Sequence, residues 1–401
     1  MMKLDYGRTF LLGFGFFGIS MVWAIYNSYV PVFLARDFGL AAAAVGVVMT
    51  FDNIAALFIQ PVIGVVSDAT RTRIGRRMPY LLVGAPIAAL AFVFVPLASS
   101  LPLLMVSVIV VLLAMAVFRT PTVALMPDIT PSPLRSKANA VINVMGGLAA
   151  LLAFFVGSKL YDLGRPVPFW VASLLLVVSI AIVLWKIREP KVYTETFAEK
   201  VSPFRDLRQV WTEGGVSAML LLGAIFFWFL GYTAIEAFFT LYGVNVLGIK
   251  ESAASFMLGY MALTFLVFAI PSGFIATRFG RKRTIMAGIL VMILALTAGA
   301  LTPNATAITV VLIVTGLGWA LININSLPMV VDIASDALVG TFTGLYYLAA
   351  TLAAIAGPIL AGSLIQGSGD NYSLVFVIAP VSLVMALLCM VGVRKGEAKV
   401  E

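Results

Sequence analysis

The chain has 401 residues, of which 62% are hydrophobic and 11% charged, a balance that excludes a water-soluble domain. The formal charge of +8 would suit a nucleic-acid binder, but Lys and Arg gather at the ends of apolar runs, which excludes that partner. Histidine is absent and Cys389 is the single cysteine. An internal disulfide, a His-ligated metal and a histidine proton relay are therefore ruled out, leaving carboxylates to carry protons or cations.

A bilayer core needs about twenty apolar residues per helix. Runs of that kind fall at 10–34, 41–67, 80–99, 102–124, 138–160, 168–187, 216–241, 252–276, 284–302, 306–328, 340–365 and 373–393, predicting about twelve transmembrane helices. The first run is too long for a cleaved signal and counts as helix 1. The distribution of Lys and Arg between the connections predicts cytoplasmic termini and an external 159–168 loop. The external connections 36–40, 99–101 and 303–305 are short. The one long connection, 188–215, is charged. In it Ser202-Pro203 reads as a helix start, with Phe204, Leu207, Val210 and Trp211 on one face, as in a helix lying on the cytoplasmic surface. The expectation is an all-α membrane protein with a six-helix bundle at 1–187, a connecting segment at 188–215 and a second six-helix bundle at 216–401.

Between helices 2 and 3 lies the most informative stretch, 60–79. Gly64 would let another helix approach closely. Asp68 ends its helix where its charge opposes the dipole, so it needs a positive partner. Arg73, Gly75, Arg76 and Arg77 follow, and Pro79 suits the first turn of the next helix. The pattern recurs in the second half as Gly273, Thr277, Arg278 and Gly280-Arg281-Lys282-Arg283. Likewise 118–147, with Pro127 and Asp128, answers to 319–344, with Pro328 and Asp332. Because Asp68 becomes Thr277 and Arg119 becomes Ala320, the second basic loop is expected to serve topology more than gating.

Polar residues within apolar helices usually face the bundle interior, and ionisable ones are functional candidates. Helix 1 carries Tyr26 and Asn27, helix 2 Asp52, Asn53 and Gln60, helix 4 Arg119, and helix 7 Tyr232 and Glu236. Asn143, Asn323, Asn325 and Tyr346 lie on helices 5, 10 and 11. At about 1.5 Å rise per residue, Asn27, Asp52 and Glu236 stand roughly 24–30 Å from the cytoplasmic helix ends and Arg119 only about 12 Å. Two polar layers result, and Asp52 is expected to lie far from any basic partner. Burying an unpaired carboxylate costs several kcal/mol unless it is protonated, paired or hydrated, so Asp52 and Glu236 are the candidates for cation coupling. Two readings stay open for Arg119: substrate ligand, or structural partner of Asp128 or of helix carbonyls. Trp23, Trp228 and Trp319 read as packing or interfacial anchors.

The 64–77 pattern resembles the helix 2–3 loop of the major facilitator superfamily. Trp23 to Asn27, Phe51 to Asn53, Arg119 to Asp128, Arg135 to Ala140 and Gly231 to Tyr242 are similar to stretches of its glycoside–pentoside–hexuronide and sucrose-type cation symporters. The resemblance implies two bundles related by an axis along the membrane normal, with substrate between them. It implies no enzyme, no cofactor and no metal, but symport of a small mono- or disaccharide with a proton, sodium being the alternative, by a monomer in the plasma membrane. Tyr26, Asn27, Asn53, Arg119, Asn143, Tyr232, Glu236, Asn323, Asn325 and Tyr346 would meet substrate. Gly64, Asp68, Arg73, Gly75, Arg76, Arg77, Asp128 and Arg135 would form a cytoplasmic gate. Two departures matter: the melibiose-type helix-2 carboxylates are replaced by Ala56 and Gln60, and the plant sucrose carriers' helix-4 Asp falls in Val110-Val111-Leu112. The rival functions are an exporter of drugs or organic ions on the same fold and a non-transporting membrane sugar sensor. Nucleotide-driven pumping has no support, since the chain contains no Gly-x-x-x-x-Gly-Lys-[Ser/Thr].

Overall fold

The computed structural model describes residues 4–131, 134–189, 203–334 and 338–397. The side chains of Ser136 and of 203–213 lie outside that description, and with them the expected one-faced array from Phe204 to Trp211. Twelve helices among the described residues are long and apolar enough to cross a membrane. They are α1 (Tyr6–Asp37), α2 (Ala42–Ala69), α3 (Met78–Leu97), α4 (Leu101–Ile129), α5 (Lys137–Leu163), α6 (Val167–Lys186), α7 (Gly214–Asn245), α8 (Glu251–Phe279), α9 (Arg281–Leu301), α10 (Ala305–Ile333), α11 (Val339–Gly367) and α12 (Tyr372–Gly392). Their mean hydropathy, from 1.7 to 2.9, explains why runs of composition alone locate them.

Local chemistry sets the helix ends. Asp5 caps α1 by accepting the Arg8 N–H at 2.9 Å, and Asn304 caps α10 through the Ala307 N–H at 2.8 Å. Proline stands in the first turn of α3, α4 and α6, where its missing N–H costs nothing. The helix expected to start at Ser202-Pro203 is present from Pro203, and it continues into α7 across a kink at Gly215, whose φ of 60° favours glycine.

The chain forms two compact units, Met1–Gly39 with Phe51–Thr196, and Leu40–Thr50 with Phe197–Glu401. Helix α2 is therefore divided. Its helical turns are interrupted at Met49–Thr50, and the part before the interruption belongs to the second unit. There Gly46 sits against the Pro358 carbonyl and Gly362 against the Ala42 carbonyl, leaving no room for a Cβ at either place. Such small residues let two membrane helices touch through their backbones.

Within the first unit α1 packs on α5 and α6, and α3 on α4. Tyr29 of α1 stacks on Tyr161 of α5 with centroids 4.2 Å apart. Within the second, α7 packs on α11 and α12, and α10 on α8 and α9. The same pattern in both units, first helix with fifth and sixth, is the internal repeat expressed as packing.

Candidate functional site

In the first unit three helices contribute polar side chains to one cluster. Helix α2 supplies Asp52 and Asn53, just past the interruption, and the Asn53 amide donates to the Asp52 carboxylate at 2.8 Å. Helix α1 supplies Tyr26, whose ring is 1% exposed and meets Trp23 edge-on at 5.6 Å. The Tyr26 hydroxyl and the Trp23 indole N–H are buried without a hydrogen-bond partner among the described residues. Helix α4 supplies Arg119. Asp52 interacts electrostatically with both Tyr26 and Arg119.

This corrects the expectation that Asp52 is remote from any cation. Rise-per-residue arithmetic places Cα atoms, whereas a guanidinium stands at the end of a long apolar stem that can run along the helix. Nor does Arg119 serve Asp128, which is held by Arg76 and Arg77. Among the described residues the Arg119 guanidinium has no hydrogen bond or ion pair, and its interaction with Asp52 acts at longer range. Asn27 is half-buried on α1, and Asn143 is exposed on α5.

In the second unit Tyr232 and Glu236 stand one turn apart on α7, on one face, and interact electrostatically. The Tyr232 ring lies flat on Trp319 of α10, centroids 4.2 Å apart and planes within 11°. Phe229 meets Trp319 edge-on at 5.2 Å and Tyr346 at 6.3 Å. Sequence reasoning gave Trp319 an anchoring role and missed Phe229. The signal was present in part, because Trp319 and Asn323 are four positions apart on α10 and so share a face.

Two expected ligands are committed within the fold. Asn325 is 3% exposed, and its amide donates to the Ser272 hydroxyl at 2.8 Å and the Leu321 carbonyl at 2.9 Å. The Tyr346 hydroxyl shares a 3.1 Å hydrogen bond with Ser326. Asn325 thus ties α10 to α8 instead of facing open space, whereas Asn323 is half-buried.

At the basic end of the first unit Arg77 pairs with Asp68, donates to Asp128 at 3.0 Å and reaches the Ser67 hydroxyl. Arg76 joins Asp128 at 2.5 Å. The positive partners that Asp68 requires are therefore Arg77 and, at 3.7 Å, Arg76. Gly75, with φ 123°, turns the chain so that the Glu189 carboxylate accepts the N–H groups of Arg76, Arg77 and Met78 at 2.9, 2.8 and 3.0 Å. Arg135 donates to the Pro127 and Thr130 carbonyls. Arg73 is exposed and makes no hydrogen bond or ion pair among the described residues. A Cβ on Gly64 would come no closer than 3.7 Å to Thr120, so the close approach expected there is absent.

The second unit repeats the device. Arg281 pairs with Asp332 and reaches the Pro328 carbonyl at 3.0 Å. Lys282 donates to the Val391 and Val393 carbonyls. Gly280, φ 91°, precedes two amides, of Arg281 and Lys282, that Glu397 accepts at 2.7 and 3.0 Å. The second loop is thus tied within its unit by the same kinds of contact as the first, though by fewer of them. The loss of Asp68 at Thr277 removes one partner but leaves the Arg–Asp pair and the carboxylate cap.

The family model described as Major Facilitator Superfamily matches residues 12–262 and 244–401. The isoprimeverose transporter of Lactiplantibacillus pentosus is 25% identical over 334 residues, covering 77% of this chain and 67% of that protein. Sucrose transport protein SUT1 of Oryza sativa subsp. japonica is 30% identical over 92 residues, 23% of this chain and 17% of the relative, so the chain spans well under two thirds of SUT1. Among solved structures, a point mutant of the nucleoside transporter NupG superposes with a TM-score of 0.78 over 97% of this chain and 100% of that one, at 15% identity. At that identity the likeness shows the fold alone.

Proposed function

The chain belongs to the major facilitator superfamily, a multi-pass membrane transporter and not an enzyme, and on that premise we propose that it is a secondary transporter coupling a small saccharide to a proton. The observation that carries this reading is the first-unit cluster, in which Asp52 hydrogen-bonds Asn53 and interacts electrostatically with Tyr26 and Arg119. A carboxylate inside a membrane helix is costly to keep ionised unless it is paired or hydrated, so it is suited to load and release a proton as its surroundings change. Arg119 and the unpartnered Tyr26 hydroxyl are donors turned to no acceptor of their own, which suits a hydroxyl-rich ligand. In the second unit, Tyr232, stacked on Trp319, and Glu236 form a second polar group on one face of α7. The partial likeness to an isoprimeverose transporter and to a sucrose transport protein supports the saccharide class.

In this reading the chain resides in the plasma membrane with both termini cytoplasmic, and the arginine–aspartate ties of the basic loops stabilise one state of an alternating-access cycle. Mono- and disaccharides added to energy-depleted vesicles, with external pH followed in the presence and absence of sodium, test it. Sugar-dependent alkalinisation that needs no sodium is the expected result. Sugar flux that requires sodium and leaves pH unchanged overturns the proton, and absence of flux for every sugar overturns the substrate class.

A further inference from the structure

In the first unit a cavity of about 440 Å³ runs between α1 and α5, lined by Phe10, Phe14 and Phe17 on one side and by an apolar stripe of α5 from Met145 to Val156 on the other. Every lining side chain is a hydrocarbon or a thioether, so a polar solute would give up its hydrogen bonds to water there without replacement. The cavity is open to the surface: Phe10 is 48% exposed and Val156 49%.

The two helices run side by side in the same direction, Gly13 abutting Met145, Gly146 abutting Ser20 and Gly157 abutting Ile25. At 1.5 Å per residue the stripe from Met145 to Val156 is about 16 Å long, close to the roughly 15 Å of hydrocarbon in one leaflet. Lys137 lies on the same face of α5, about 12 Å before Met145 toward the basic end, since positions 148 and 155 follow it after about three and five full turns. Lys137 is exposed and makes no hydrogen bond or ion pair among the described residues. The neighbouring Arg8 and Arg135 are occupied, donating to the carbonyls of Arg188, Thr130 and Pro127.

We propose that this groove holds one acyl chain of an anionic phospholipid whose phosphate is met by Lys137. An apolar trough about one leaflet long, with an unpartnered cation on the same face about 12 Å toward the basic end, presents the two parts of such a lipid in order. A second copy of the chain is a poorer occupant, because a two-fold contact through this face would bring Lys137 against its own counterpart.

Native mass spectrometry of the purified chain, offered equal amounts of phosphatidylglycerol and phosphatidylcholine with matched chains, tests the proposal. The expected result is retention of phosphatidylglycerol about five-fold above phosphatidylcholine, the effect of one interfacial Lys. Lys137→Glu, at an exposed helix end, should abolish that preference, and Leu152→Trp, which fills the trough, should lower retention of both lipids. Equal retention of the two headgroups by the unaltered chain overturns the proposal. So does a preference that survives Lys137→Glu, whether or not Leu152→Trp can be purified, or a dimer that forms through this face without lipid.

Discussion

Glu189 and Glu397 hold corresponding places in the two halves: each closes its carboxylate on the first backbone amides after a positive-φ glycine, Gly75 or Gly280. Helix N-termini present unsatisfied N–H groups and a partial positive charge, and a carboxylate answers both. Each glutamate follows the last helix of its unit, α6 or α12, so the cap joins the end of that helix to the start of α3 or α9.

Removing a cap should therefore destabilise one unit without touching the polar clusters. Glu189→Ala is expected to cost about 0.5–2 kcal/mol, the range for loss of a helix cap. Glu397→Ala, which frees two amides where Glu189→Ala frees three, should cost less. Melting of the purified variants in detergent checks this. Equal melting of Glu189→Ala and the unaltered chain would show that water replaces the carboxylate without loss.

Asn325 and Asn323 should separate by their effects. Asn325→Ala removes the amide that donates to the Ser272 hydroxyl, which keeps its own bond to the Ala320 carbonyl, at a cost of about 0.5–1.5 kcal/mol, and should lower the melting temperature while leaving substrate affinity nearly unchanged. Asn323→Ala should do the reverse. Affinity measured by saccharide-dependent stabilisation, alongside melting, distinguishes the two. A large affinity loss in Asn325→Ala with unchanged melting would return that residue to the binding site.

What could be read from the sequence follows from the range of each interaction. The twelve helices were legible because hydropathy is a local property, and the basic loops because charge sits where the runs end. The Asn325 outcome was half legible: positions 323 and 325 lie about 200° apart on a helix, so only one could share the face of Trp319. The glutamate caps were not legible, because Glu189 lies 113 positions from Arg76 in the chain and no pattern links an acceptor to bare amides. The interruption of α2 at Met49–Thr50 was hidden because its two parts form one unbroken apolar run.

Arg119→Lys tests whether a charge alone is needed in the first-unit cluster. Lysine keeps the charge but loses the planar fork of five donors. The expectation is loss of most transport, at least about ten-fold for the 1.5–3 kcal/mol that charged hydrogen bonds contribute, with melting unchanged because Arg119 makes no ion pair to lose. Near-normal uptake by Arg119→Lys would show that the fork contacts no substrate.

Asp52→Asn separates coupling from binding. The amide has nearly the shape of a protonated carboxyl, keeps an acceptor for the Asn53 amide that now donates at 2.8 Å, and cannot release a proton. It also removes the charge that Arg119 senses across the cluster. The expected outcome is that uphill saccharide accumulation disappears while exchange down a gradient persists, and that sugar no longer alkalinises the medium. Glu236→Gln should instead weaken saccharide affinity with coupling retained, because Glu236 shares its face of α7 with Tyr232 in the second unit. Parallel counterflow and accumulation assays on the two variants read this directly. If Asp52→Asn still concentrates sugar with alkalinisation while Glu236→Gln does not, the proton is carried by the second unit, and the Asp52–Arg119 interaction serves substrate binding and not proton coupling.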